Sequence, residues 1–197
     1  MAARSRYNKD VMPAALEREI KLRFASPAAA RAALLGVGGR LTRERRLQRD
    51  ALLDSADGML RRAQSALRVR VEADSGGSVL TFKGPVHPSS MKVREEIETA
   101  LGDAPTALDI LERLGFRVWF RYEKYREEFA VGALLATVDE TPLGTFVELE
   151  GDEGDIARVA RTLGFEPDAY VLDSYRGLYA RHCEERGLPV THMLFDA

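Results

Sequence analysis

Alternating charged and apolar residues near the start of the chain constrain its fold more than any other feature. From Leu16 to Phe24, apolar and charged residues alternate, with Arg18 as the exception. Because successive side chains of a β-strand point to opposite faces, this segment is predicted to be a strand with one ionic face. That face carries Glu17, Glu19, Lys21 and Arg23. Such a face is stable either in water or around a ligand that is itself highly charged.

The same pattern returns in most of the later segments. Further strands are predicted at about 40–54, 67–72, 79–83, 93–99, 116–131, 134–140 and 146–150. Their ionic faces carry Glu44, Arg46, Gln48, Asp50, Arg68, Arg70, Lys83, Arg94, Glu96, Glu98, Lys124, Arg126, Glu148 and Glu150. Helices are predicted to begin after the capping residues Ser26, Asp103 and Asp152 and to end near Gly36, Gly115 and Gly164. A last helix is predicted from about Leu172 to Arg186.

Two arrangements of the ionic faces are compatible with this pattern. An ordinary antiparallel sheet with one solvated face is the simpler arrangement. However, the charges recur on nearly every strand and cluster by sign, whereas solvated faces usually mix Ser, Thr, Gln and Lys. The opposite faces are apolar, and amphipathic helices are available to cover them. We therefore expect an α+β fold in which the sheet closes into an antiparallel β-barrel, with a charged tunnel inside and helices packed outside.

A tunnel with this many charges requires a charged occupant. Two unit charges 4 Å apart interact by roughly 4 kcal/mol at an effective dielectric constant of about 20. Clustered cations therefore indicate a bound polyanion, and clustered carboxylates indicate a hard cation. Oxygen ligands with no Cys or His beside them favour Mg²⁺ or Mn²⁺ over Zn²⁺. Phosphoryl and nucleotidyl transfer use this combination of cations and a carboxylate-bound metal.

Length and composition are typical of one globular domain in the cytoplasm. The chain has 197 residues and a net charge of -2, so no charge bias indicates a nucleic-acid or membrane partner. The single Cys183 excludes an internal disulfide and a cysteine metal cluster. No apolar stretch is long enough to span a bilayer, and no signal-peptide core is present. We predict one domain at residues 14–187, a flexible lead-in at 1–13 and a loose tail at 188–197.

An ordered set of motifs resembles the CYTH superfamily, which includes class IV adenylate cyclases, thiamine triphosphatases and inorganic triphosphatases. The first motif, Glu17-Arg18-Glu19-Ile20-Lys21, matches the signature Glu-x-Glu-x-Lys. The others are Arg68-Val69-Arg70, Thr81-Phe82-Lys83-Gly84-Pro85, Arg94-Glu95-Glu96-Ile97-Glu98, Lys124-Tyr125-Arg126, Asp139, Leu143-Gly144, Phe146-Val147-Glu148-Leu149-Glu150 and Ser174-Tyr175. The resemblance covers about Leu16 to Leu178.

The resemblance implies an eight-stranded antiparallel tunnel that binds a small-molecule triphosphate with Mg²⁺ or Mn²⁺. It implies metal ligands at Glu17, Glu19, Asp139, Glu148 and Glu150. It implies triphosphate contacts at Lys21, Arg68, Arg70, Lys83, Arg94, Lys124 and Arg126, of which Lys21, Lys83, Lys124 and Arg126 are the candidate catalytic residues. Arg94, Glu96 and Glu98 could instead form ion pairs inside the tunnel. Ser174 and Tyr175 are expected to anchor the last helix rather than to touch the substrate.

The resemblance leaves the reaction open. Gln48-x-Asp50-x-x-x-Asp54 and the motifs around Lys83 and Arg94 are most similar to the class IV cyclase branch, which forms cyclic AMP and pyrophosphate from ATP. Leu52-Leu53 stands where that branch usually has an aromatic pair. A triphosphatase acting on tripolyphosphate, thiamine triphosphate or a nucleotide is the alternative, and a non-catalytic triphosphate sensor is a third. A homodimer is compatible with the sequence, which does not determine the oligomeric state.

The clustered carboxylates also lead to an expectation for mutants. Loss of Glu17 or Glu148 should abolish activity with the fold intact. It should also relieve like-charge repulsion, so that stability rises in the absence of metal.

Overall fold

The computed structural model describes residues 15–73 and 76–196. The strands are β1 (Ala15–Phe24), β2 (Arg40–Ser55), β3 (Ala66–Glu72), β4 (Ser78–Lys83), β5 (Lys92–Leu101), β6 (Phe116–Val131), β7 (Leu134–Thr141) and β8 (Gly144–Glu150). The helices are α1 (Pro27–Gly36), α2 (Met59–Arg62), α3 (Ala104–Arg113), α4 (Glu153–Thr162) and α5 (Tyr175–Glu185), with a 3₁₀ turn at Pro167–Ala169. The predicted lead-in at 1–13 lies outside the described residues.

The eight strands form a closed antiparallel barrel, which confirms the predicted fold class. Their order around the barrel is β1-β5-β4-β3-β2-β6-β7-β8, and β8 returns to pair with β1. Pairing of β1 with β5 sets Glu17 opposite Arg94, and pairing with β8 sets Lys21 opposite Glu148. Closure therefore brings motifs that are far apart in the sequence to neighbouring positions on one wall.

The apolar faces of the strands point outward and are covered by helices. α1 and α4 pack on the side of the barrel formed by β1, β7 and β8. Ile20 and Leu22 of β1 are fully buried there, together with Leu34 of α1 and Ile156 of α4. α3 covers a second apolar cluster around Val69. The hydrophobic core thus lies between barrel and helices, which leaves the inside of the barrel to the charged side chains.

One end of the barrel is filled by apolar and aromatic side chains. Phe120 and Phe146 point inward at this end and pack with Tyr175 at the start of α5 and with Met193. Met193 is 1% exposed and lies beside β6, where its backbone exchanges hydrogen bonds with Arg121 and Glu123. The segment predicted to be a loose tail therefore packs against the barrel at this position.

Several boundaries differ from the predicted ones for local reasons. The last helix begins at Tyr175 rather than near Leu172, because the Ser174 hydroxyl caps it by accepting a hydrogen bond from the Gly177 N–H. The short α2 was not predicted, since four residues give no periodicity to detect. The predicted hairpin turn at 74–77 includes Asp74 and Ser75, which lie outside the described residues. In the part of the chain that the structure describes, no helix is long and apolar enough to cross a membrane.

Candidate active site

The inward faces of the strands enclose a cavity of about 540 Å³. Every strand except β7 contributes charged side chains to its lining, and β7 contributes Leu135. The lining includes Glu17, Glu19, Lys21, Arg68, Arg70, Lys83, Arg94, Lys124, Arg126, Glu148 and Glu150 from the predicted set. Asp139 does not line the cavity and is fully buried behind it. The roles assigned to these residues stay predictions, but closure of the barrel brings them together as expected.

Glu17 and Lys83 form the first group of contacts. The Lys83 ammonium lies 2.8 Å from Glu17 Oε1 and 2.9 Å from Glu96 Oε2. Arg94 donates to Glu17 Oε2 at 3.3 Å. Burial and the charge of Glu19 oppose ionisation of Glu17, but Lys83 holds its pKa below the ordinary value. Lys83 offsets the effect of burial less completely at Glu96. Burial and the charge of Glu17 therefore raise the pKa of Glu96 to about 7.

A second group of contacts surrounds Glu19, which follows Glu17 on the inward face of β1. Lys21 lies 3.0 Å from Glu19 Oε1 and 3.3 Å from Glu148 Oε1. Burial disfavours both charged forms, but the two carboxylates raise the pKa of Lys21 and the lysines hold that of Glu19 well below its usual range. Lys92 also donates to Glu19, and burial lowers its pKa to about 8. These side chains are therefore charged at neutral pH and hold one another in place.

A third group is centred on Asp139 and lies deeper than the first two. Lys124 donates to Asp139 Oδ2 at 2.8 Å, and Arg126 forms a bidentate pair with both oxygens at 2.6 Å. The Tyr175 hydroxyl donates to Oδ2 at 2.7 Å. Arg126 also contacts Glu148. Burial lowers the pKa of Lys124 to about 7, with Arg126 adding to the effect. Both oxygens of Asp139 are therefore already engaged by cations and a hydroxyl.

A fourth group joins β2, β3 and β5. Asp50 Oδ1 lies 2.8 Å from Arg70 Nε and 3.5 Å from Arg68 Nε. Arg68 also lies 3.2 Å from Glu98 Oε1. Burial opposes the charge on Asp50, yet the two arginines lower its pKa. The ion pairing considered for Arg94, Glu96 and Glu98 is thus present, since each contacts an opposite charge within the barrel.

Glu150 differs from the other carboxylates because it has no ion pair among the described residues. Burial and the charges of Glu17 and Glu19 raise its pKa to about 7. In the described part of the chain, no three His, Cys, Asp or Glu side chains are arranged to hold a metal ion. The donor chemistry nevertheless fits a hard divalent cation, since Glu150 offers carboxylate oxygens without an ion-pair partner among the described residues and lies beside other carboxylates. Holding such an ion would require Glu17, Glu19 and Glu148 to exchange their lysine and arginine partners for it.

Several residues that line the cavity were not assigned to it from the sequence, and Lys92 and Tyr175 contact the predicted site residues directly. Lys92 opens β5 one position before the predicted strand, and extending the period-two pattern back from Arg94 would have found it. Tyr175 anchors α5 as expected, but it also lines the cavity, with the Lys21 and Lys124 ammonium groups 5.4 and 5.1 Å from its ring centroid. The Ser174-Tyr175 motif marked the start of this helix, but no local pattern indicates that both residues line the cavity.

Comparison with known proteins gives the same family as the motifs. The model of the CYTH domain matches residues 15–165. A protein of Methanocaldococcus jannaschii named "Putative adenylate cyclase" is 31% identical over 149 residues, which cover 68% of this chain and 84% of that protein.

Solved structures resemble the fold over most of the chain. A Vibrio parahaemolyticus protein described as a "putative adenylate cyclase" has a TM-score of 0.74 at 20% identity, covering 85% of this chain and 99% of that one. A Hippeastrum protein described as a "putative adenylyl cyclase" with "a dominant triphosphatase activity" has a TM-score of 0.60 at 25% identity. The match covers 89% of this chain and 99% of that one. With its barrel, its ordered motifs and the match of the domain model, the chain belongs to the CYTH family.

Proposed function

We propose that the tunnel binds ATP with a divalent metal ion and converts it to cyclic AMP and pyrophosphate. The observation that carries the proposal is the set of opposed cations and carboxylates within one cavity of about 540 Å³. Small-molecule sites usually measure roughly 300–1,000 Å³. The cavity therefore has room for a nucleoside beside a triphosphate. The name of the 31% identical Methanocaldococcus relative supports the same reaction.

The chain's own cations suit the charge that develops in this reaction. The ribose 3′-oxygen forms a bond to the α-phosphorus and gives up its proton to a base, and the bond from that phosphorus to the bridging oxygen of the β-phosphate breaks. Negative charge grows on the departing pyrophosphate, and fixed cations stabilise it. Lys21 and Arg126 fit this role because their neighbours raise the pKa of both and keep them protonated. Arginine adds bidentate contacts to phosphate oxygens.

Mg²⁺ or Mn²⁺ would be held by Glu17, Glu19, Glu148 and Glu150. When bound there, the ion would neutralise phosphate charge and lower the pKa of a coordinated hydroxyl or water. Phosphate oxygens entering the cavity would draw Lys21 away from its carboxylate partners, which frees those carboxylates for the metal. Asp139, the remaining predicted ligand, would have to give up three donors first.

A triphosphatase is the second candidate, and one feature of the lining favours it. The aliphatic side chains that line the cavity are Leu16, Val79 and Leu135, which offer little surface to a nucleobase. The printed description of the Hippeastrum protein, which is 25% identical, names a triphosphatase activity. In that reaction water attacks a terminal phosphorus and phosphate is released. The charged groups of the tunnel would serve it equally well.

A product assay separates the two reactions. Purified protein is freed of metal with EDTA and then supplied with Mg²⁺ or Mn²⁺ and either ATP or tripolyphosphate. Products are resolved by ³¹P NMR and by chromatography for cyclic AMP. We expect cyclic AMP and pyrophosphate in equal amounts from ATP. Lys83→Met and Glu148→Gln should each reduce the rate by about 100-fold or more.

The matched control is Arg45→Ala. Arg45 pairs with Glu140 outside the cavity, so its loss should leave the rate unchanged. Phosphate from tripolyphosphate with no cyclic AMP from ATP would reject the cyclase and retain the triphosphatase. No product from either substrate with either metal would reject both.

A further inference from the structure

We infer that Gln48 binds the nucleoside of the substrate and so distinguishes a nucleoside triphosphate from bare tripolyphosphate. Gln48 lies on the inward face of β2 and lines the cavity. Its side chain is only 2% exposed. Its Oε1 atom is buried and has no hydrogen-bond partner among the described residues. The protein therefore holds a neutral amide in the wall of the cavity, with its acceptor oxygen covered and unsatisfied.

An unsatisfied buried amide is unusual and needs an explanation. Most buried polar groups have partners, because desolvation without a hydrogen bond destabilises the folded protein. Other inward-facing atoms without a hydrogen-bond partner among the described residues are Asp50 Oδ2, Arg68 Nε and Thr137 Oγ1. Of these residues, Arg68 also lines the cavity, and its charge assigns it to phosphate. Gln48 is the neutral cavity-lining residue of this set, and its unsatisfied atom is an acceptor, which a phosphate oxygen cannot satisfy.

The position of Gln48 fits a contact just beyond the phosphates. Its cross-strand neighbour on β6 is Lys124, a predicted phosphate contact. Two residues further along β2, Asp50 pairs with Arg70. Two residues in the other direction, Arg46 pairs with Glu72 at 2.8 Å near the half-exposed Arg43. Gln48 thus lies between the phosphate-binding cations and the rim. A triphosphate held by Lys124 and Arg70 would bring its next group to this amide.

The chemistry of the amide limits what that group is. A glutamine side chain donates two hydrogen bonds and accepts others, and it carries no charge. It therefore pairs well with a group that both donates and accepts, such as a sugar hydroxyl or the edge of adenine. Tripolyphosphate is mainly an acceptor and would leave Oε1 without a partner. The inference rests on the proposed function only in taking a triphosphate as the occupant of the tunnel.

Equilibrium binding tests the inference without turnover. Calorimetry in Mg²⁺ compares α,β:β,γ-bismethylene-ATP, in which neither phosphate bridge can be cleaved, with bismethylene triphosphate, a bare triphosphate analogue. Gln48→Leu should weaken binding of the nucleotide analogue about tenfold and that of the bare analogue by less than about twofold. A guanine analogue identifies the contact: an equal loss indicates the sugar, and a loss confined to adenine indicates the base edge.

The controls separate binding from folding. Tyr170→Phe removes another buried oxygen without a partner, outside the tunnel, and should change neither affinity. Gln48→Met is the second variant if leucine disturbs the barrel, and circular dichroism checks the fold of both. An equal loss for both analogues, no loss for either, or no binding of either analogue by the native protein would overturn the inference. If Gln48→Leu causes the expected loss of binding but the native protein forms no cyclic AMP, the cyclase proposal is rejected and the contact of Gln48 with the nucleoside is retained.

Discussion

Replacing Glu150 by glutamine should stabilise the metal-free protein, by an amount that depends on pH. Glu150 has no ion pair among the described residues, and burial with the charges of Glu17 and Glu19 raises its pKa from 4.5 to about 7. A carboxyl group with a raised pKa in the folded state stabilises that state fully below the unfolded pKa. This contribution is lost as the pH rises through the folded value, since the ionised form is disfavoured in the barrel.

The size of the effect follows from the two pKa values. A shift from 4.5 to about 7 corresponds to at most about 3.5 kcal/mol of unfolding free energy at pH 8.5, since one pKa unit is about 1.4 kcal/mol. Glu150 is half-buried, and solvent screening reduces this to about 1–3 kcal/mol. At pH 5 the folded carboxyl is protonated and the unfolded one, with a pKa of 4.5, is only about three-quarters ionised, so less than about 1 kcal/mol should remain.

Urea unfolding in EDTA at pH 5 and pH 8.5 measures this difference. Glu150→Gln should unfold at higher urea than the native protein at pH 8.5 and at nearly the same urea at pH 5. Glu166→Gln, at an exposed carboxylate, is the matched control and should show no change at either pH. No gain at pH 8.5, or an equal gain at both values, would refute the electrostatic reasoning.

Glu148 should respond with the opposite sign. It contacts Lys21 and Arg126, which hold its pKa well below the usual range against the effect of burial. Removing one partner of a buried ion pair costs roughly 3–5 kcal/mol, so Glu148→Ala should destabilise the metal-free protein. The expectation from the sequence, that loss of this carboxylate raises stability, is therefore replaced by its opposite. The same unfolding measurement tests it.

Three further predictions concern the tunnel and its closed end. Tyr175→Phe removes one of the donors to Asp139 and should lower kcat about tenfold with α5 intact by circular dichroism; an unchanged kcat would argue against a positioning role. Met193→Ala should cost about 2–4 kcal/mol in urea unfolding, because the side chain is 1% exposed, and no loss would mean that the segment does not pack in solution. Tripolyphosphate should increase the affinity for Mg²⁺ in calorimetry, since it draws Lys83 away from Glu17, and equal affinities with and without it would contradict this exchange.

The local pattern was sufficient to predict most of the barrel. Side chains of a strand alternate strictly, so the ionic and apolar faces could be assigned without any knowledge of the partner strands. The helix starts were equally predictable, because the side chains of Ser26, Asp103 and Asp152 cap backbone N–H groups within their own segments. Such signals act within a few residues, and the amino-acid sequence contains them completely.

Only the tertiary structure determines which acidic side chain forms an ion pair with which basic one. Glu17 pairs with Lys83 because β1 and β4 flank β5 in the closed barrel, and nothing in either segment indicates that order. The same closure leaves Glu150 without an ion pair in the part of the chain that the structure describes, and it buries Asp139 beneath its donors. A residue's charge and face belong to its own strand, whereas its partner and its pKa depend on strand order and register, which only the folded barrel fixes.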